Sequence, residues 1–143
     1  MISIPETMVA EIGRHARETY PEECCGALIG EVSGDAARIR RVERLTNTSV
    51  EERGRRYLVS PEEYERVERA AEKDGLSLLG FYHSHPDHPP VPSEFDREHA
   101  LPFFHYVVMA VSQGEPGEAR SWTLSADRGV FEREEFVSDG LRR

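Results

Sequence analysis

The sequence predicts a single α/β domain of the α+β kind, built on one mixed β-sheet of about six to eight strands flanked by two to three helices. Three observations predict it. At 143 residues the chain has the size of one domain that can bury a core of its own. Apolar runs of strand length alternate with amphipathic stretches of helix length. Turn residues separate them, and no repeat, low-complexity tract or linker interrupts the series. Residues 1–143 are therefore read as one domain, with the last few expected to be disordered.

Pro5 to about Thr19 reads as a helix. Ser3 is a candidate N-cap, Pro5 suits the first turn, Glu6 favours the positive end, and Met8, Ile12 and Ala16 share one side. Tyr20-Pro21 ends it. Cys24 to Val32 is a short apolar run closed by Ser33-Gly34-Asp35, hence a buried strand, and Ala37 to Leu45 returns as its hairpin partner. Thr46 to Arg55 is polar and reads as a loop; Tyr57 to Val59 reads as a brief strand. Ser60-Pro61-Glu62-Glu63 starts a helix with an N-cap, a first-turn proline and a glutamate placed for a capping box. That helix runs to Lys73 and stops at Asp74-Gly75. Leu76 to His83 is the central strand, followed by a loop holding Pro86, Pro89, Pro90 and Pro92. Ser93 opens a short helix to about Ala100. Tyr106 to Val111, Ala119 to Leu124 and Val130 to Val137 read as three more strands.

Charge and cysteine usage narrow the function classes. A net charge of -9 argues against a nucleic-acid footprint, which needs a basic face. Arg38, Arg40, Arg41 and Arg44 are interleaved with Glu43 and read as a solvated face. Cys24 and Cys25 are adjacent, so on a strand their side chains point to opposite faces; a disulfide framework is excluded and a reducing compartment fits. No stretch resembles a signal peptide or approaches the roughly 20 apolar residues of a membrane span, so the expected location is the cytoplasm.

The chemistry concentrates in residues 80–96, GFYHSHPDHPPVPSEFD. His83 and His85, at i and i+2 on a strand, face one side roughly 6.5–7 Å apart along the chain and can converge on one ion. Ser93 and Asp96, three apart on the first turn of a helix, share a face. Two imidazoles and one carboxylate make three protein ligands, which is what a catalytic zinc keeps while leaving a fourth position for water. Each half alone has a plain structural reading, a polar surface pair and a helix cap; together they form a specific pattern.

This stretch resembles the JAMM (MPN+) metalloprotease motif, H-[ST]-H-P-x6-S-x-x-D, without a mismatch. The family's upstream glutamate has its counterpart in Glu23-Cys24-Cys25-Gly26, and YPEECCGALIG looks like the small stand-alone prokaryotic members. The similarity spans roughly residues 5 to 125. It implies an MPN-type, partly barrel-like sheet related in plan to the cytidine deaminases. It implies that His83, His85 and Asp96 bind one Zn2+ with a water, that Glu23 is the general acid/base, and that Ser93 helps hold the oxyanion. Glu22 adjoins Glu23, and only the motif register chooses between them. The resemblance further implies hydrolysis after the C-terminal Gly-Gly tail of a ubiquitin-like or sulfur-carrier protein, releasing a residue such as cysteine, with neither nucleic acid nor membrane as partner.

Two alternatives stand beside it. A non-catalytic MPN-type interaction module shares the fold but lacks the ligand set. His83-x-His85-x-Asp87-His88 also matches the metallo-β-lactamase signature, which needs a longer chain and further ligands downstream. The zinc-deaminase signature, H-x-E with P-C-x-x-C, is absent. His15, His99 and His105 are expected in structural or surface roles, and Trp122, with Phe103, Phe104 and Tyr106, in packing.

Overall fold

Eleven elements follow in chain order: β1 (Ile2–Ser3), α1 (Glu6–Thr19), β2 (Cys25–Ser33), β3 (Ala36–Leu45), α2 (Pro61–Lys73), β4 (Ser77–Pro86), α3 (Glu94–His99), β5 (His105–Ser112), β6 (Glu115–Leu124), β7 (Phe131–Glu134) and β8 (Phe136–Val137). The computed structural model describes residues 1–138; the tail expected to be disordered lies outside them. The strands form one mixed sheet in the order β7-β6-β5-β4-β2-β3-β1-β8. β4 and β5 run parallel, as do β1 and its two neighbours, and the remaining pairs are antiparallel. β7 and β8 occupy opposite ends of that order although only Glu135 separates them. The sheet therefore curls until its edges nearly meet, which gives the barrel-like shape.

Both faces of the sheet are apolar because both are covered. Leu28, Ile39, Tyr82 and Val107 pack with Ile12 and Ala16 of α1 on one side. Ala27, Ile29, Phe81 and Tyr106 pack with Val67 and Ala71 of α2 on the other. Full burial of each large aliphatic side chain contributes about 1.5–3 kcal/mol. Cys24 and Cys25 are free, buried and divided between the two faces, as strand alternation requires.

Several boundaries differ from expectation, each for a local reason. Tyr57–Val59 is not a strand: the Leu58 N–H donates to Asn47 Oδ1 at 3.2 Å, so a side chain takes a bond that a ladder would need. Ser3 is not the N-cap of α1. It lies in β1, a strand too short to announce itself, and Pro5 holds the cap position without a side-chain bond. Ser60 caps α2 by accepting from Glu63 N, but Glu63 does not return the favour; its carboxylate accepts from Thr46 N at 2.8 Å. Val130–Val137 divides at Glu135, because the chain there crosses from one rim of the sheet to the other.

Candidate metal centre

A bulge in β4 sets which residues face α2. Leu28 pairs with Gly80 and Ile29 with Leu78, leaving Leu79 as the extra residue. Beyond it Phe81 packs on the α2 face, and His83, directly opposite Cys25, and His85 follow at the same parity. Strict alternation from Leu78 would have turned both imidazoles to the α1 face. Gly80 makes the neighbouring pairing possible, since a Cβ there would lie 1.9 Å from the His105 carbonyl oxygen of β5.

Glu23 precedes β2 and is fixed through its backbone. Its N–H donates to Arg53 O at 2.7 Å and its carbonyl accepts from Asn47 Nδ2 at 3.1 Å. Ser84, between the two histidines, accepts from Cys24 N at 2.9 Å, locking this segment against β4. On the other side, Ser93 Oγ accepts from Asp96 N at 3.1 Å while Asp96 Oδ2 accepts from Ser93 N at 2.8 Å, a complete capping box that aims the carboxylate inward.

These elements bring Glu23, His83, His85 and Asp96 together, with one donor atom of each within 4.8 Å of every other. His83 Nε2 and His85 Nε2 are 3.2 Å apart, and they lie 3.2 and 3.3 Å from Asp96 Oδ2. Donors about 2.0–2.1 Å from a tetrahedral ion are roughly 3.3–3.4 Å from one another, so the triangle already has the size of three ligands around one cation. His85 Nδ1 lies 2.8 Å from Pro89 O; donating there places its proton on Nδ1 and leaves the Nε2 lone pair facing the centre. Tyr57 stacks on the His83 ring with centroids 4.4 Å apart.

The electrostatics separate the two carboxylates. Both Glu23 oxygens are buried with no hydrogen-bond partner among the described residues, as is Asp96 Oδ1. Burial pushes Glu23 up to about 8, with His85 opposing the rise and Asp96 adding to it. Burial alone would also raise Asp96, but His83 beside it, with hydrogen bonds from His83, His85 and the Ser93 N–H, holds it well below the usual range. A cation held between these groups would offset the charge of the orphaned oxygens and favour the ionised form of Glu23.

The model of the prokaryotic homologs of the JAB domain matches residues 5–125. The chain belongs to this family. A desampylase from Haloferax volcanii is 38% identical over 113 residues, covering 76% of this chain and 78% of that protein. A CysO-cysteine peptidase from Mycobacterium tuberculosis is 29% identical over 125 residues, covering 87% and 83%. A solution structure from Desulfitobacterium hafniense superposes with a TM-score of 0.85 at 28% identity over 97% of this chain and 93% of that one. A JAB1/MPN domain protein from Archaeoglobus fulgidus, at 17% identity and a TM-score of 0.59 over 97% of both chains, shares the fold.

Within this JAB domain the remaining candidates fall outside the four-residue group. Asp87 accepts from Tyr20 Oη at 2.5 Å and Gln113 N at 2.7 Å, far from a ligand role. His88 stacks on His85 at 4.2 Å between centroids, and its Nδ1 lies 2.8 Å from Pro86 O. The lactamase-like signature therefore does not assemble. His15 meets Tyr82 Oη at 2.7 Å, His99 its own helix, and His105 Glu134 at 2.6 Å. Burial pushes the Cys24 thiol up to about 11 and the Cys25 thiol higher, which suits packing and not thiolate chemistry. Arg40, Arg41 and Arg44 pair with Glu31, Asp74 and Glu18, so the strip is a solvated face.

Sequence reasoning missed four supports: Ser84, Asn47, Tyr57 and Trp122, whose Nε1 donates to Pro90 O at 3.1 Å and steadies the proline loop. Only Ser84 left a signal, as the small hydroxyl residue inside the histidine pair. No helix among the described residues is long and apolar enough to cross a membrane.

Proposed function

We propose that this chain is a zinc-dependent metallopeptidase that hydrolyses the amide bond after the C-terminal Gly-Gly tail of a ubiquitin-like or sulfur-carrier protein. The observation that carries it is the convergence of His83, His85 and Asp96 at ligand spacing, with an unpartnered Glu23 beside them. His83, His85 and Asp96 hold the ion, and Zn2+ is the choice this nitrogen and oxygen set fits as an open three-ligand site. Bound there, zinc supplies Lewis acidity that polarises the scissile carbonyl and acidifies a water to a pKa of about 7.

The protein's own groups do the rest. Glu23 accepts the proton of the attacking water and returns it to the departing amine, so that the amide ends as a carboxylate and a free amine. Ser93 Oγ accepts at Asp96 N, which leaves its own O–H free to donate to the carbonyl oxygen as negative charge develops. Gly-Gly suits a narrow approach because it carries no side chains.

The names of the desampylase and the CysO-cysteine peptidase support the substrate class. A purely structural module has no use for a fully buried carboxylate without partners among the described residues, which is costly to keep. Metal analysis and mass measurement of carriers extended beyond Gly-Gly test the reading together. The expected result is about one zinc per chain and a product ending in Gly-Gly; a zinc-loaded protein that leaves every such carrier intact refutes it.

A further inference from the structure

Beside the metal centre the fold holds a second concavity of about 240 Å³ that the proposed chemistry does not use. Its floor is Phe81 and Tyr106, both buried, and Asp96 stands in its wall. Tyr57, Val59 and Leu101 form the half-buried sides, so it opens to solvent. Tyr57 is shared: the ring that lines this pocket also stacks on His83. Asp96, His99 and the tyrosine hydroxyls are the polar groups of its lining, and the larger part of the surface is aromatic and aliphatic.

We infer that this is a specificity pocket that takes a bulky apolar side chain on the residue immediately after the scissile bond. The inference rests on the proposed hydrolysis after Gly-Gly and names the leaving side of it. The two glycines have no side chains to fill a pocket, so one that shares Asp96 with the candidate metal centre is assigned to the other partner of the bond. A cavity of about 150 Å³ lined by apolar side chains already takes a benzene-sized group. The present space is therefore sized for a leucine or phenylalanine side chain and leaves a cysteine or alanine loosely held. Each buried methylene in such a pocket is worth about 10-fold or more in discrimination.

The test uses a ubiquitin-like carrier ending in Gly-Gly followed by Ala, Cys, Leu or Phe, cleaved by the zinc-loaded protein. The expected kcat/KM rises at least 10-fold from Ala to Leu or Phe. Leu101→Trp fills the space from a half-buried side and should erase that gain, bringing the Leu and Phe adducts to the Ala adduct's rate; Val59→Trp, at another lining position, should do the same. Equal rates for all four adducts overturn the inference, as does a Leu101→Trp variant that slows Ala and Leu alike. If no adduct is cleaved, the hydrolase reading fails and the leaving-side assignment falls with it, an outcome distinct from equal cleavage of all four adducts, which overturns the pocket alone.

Discussion

Two glutamates of this chain, one half-buried and one fully buried, have opposite fates. Glu134 accepts from His105 Nδ1 at 2.6 Å and Ser121 Oγ at 2.7 Å, and it faces the Met1 ammonium at 3.3 Å. Burial would raise its pKa, but those partners prevail and hold it below the usual value. Glu23 is more deeply buried, has no partner on either oxygen among the described residues, and is raised to about 8. A carboxylate that serves the fold is surrounded by donors. One left without them in the interior costs stability, and such sites are kept for chemistry.

Substituting both residues breaks the comparison if it is false. Glu23→Gln should lower turnover by about 10²–10⁴-fold, the usual worth of a general acid/base, with zinc retained and thermal stability unchanged or raised. Unchanged turnover would move the base elsewhere. Asp96→Ala should lose metal by more than the about 10–100-fold typical of groups that merely orient a ligand, whereas Asp87→Ala and His88→Ala should keep full zinc in a metal titration. Glu134→Gln should do the reverse of Glu23→Gln: normal turnover at saturating zinc, but a loss of about 1–3 kcal/mol in denaturant unfolding as His105 and Ser121 lose an ionised acceptor.

Histidine sharpens the contrast on the α1 face. Burial lowers His15 from 6.5 to about 4, with Arg44 contributing. The unfolded chain protonates this residue near pH 6.5 and the folded chain does not until about pH 4, so unfolding takes up a proton in that window. Stability present above pH 6.5 should decline as the pH falls to about 4, by on the order of 1–2 kcal/mol once solvent screening is allowed for. Glu134, with a lowered value, adds stability above its unfolded pKa that is lost at still lower pH. Unfolding curves at pH 7 and 5 should differ less for His15→Gln than for the parent; an equal difference would remove His15 from the account.

How legible each part was depended on the range of the forces that place it. α2 and α3 were readable because their caps are local: Ser60, Pro61 and Ser93 act within one turn. His83, His85 and Asp96 were readable as candidate ligands because their spacing is local too. Glu23 was separable from Glu22 only by motif register, since what distinguishes them is backbone anchoring by Asn47 and Arg53, which are 24 and 30 positions further along the chain. β1 and the break at Glu135 were unreadable because closure of the sheet, and no property of those few residues, makes them strands. Tyr57 illustrates the same limit: an aromatic residue on a loop carries no mark of the ring it will cover.

The one-residue passage at Glu135 has a consequence for how the molecule is made. Until Phe131–Val137 has left the ribosome, β6 and β1 each lack an outer neighbour, because β7 and β8 supply both. A nascent chain halted before that point holds every candidate ligand yet exposes two raw sheet borders at once, the condition that invites strand exchange between copies. Seven residues cover both borders of the sheet.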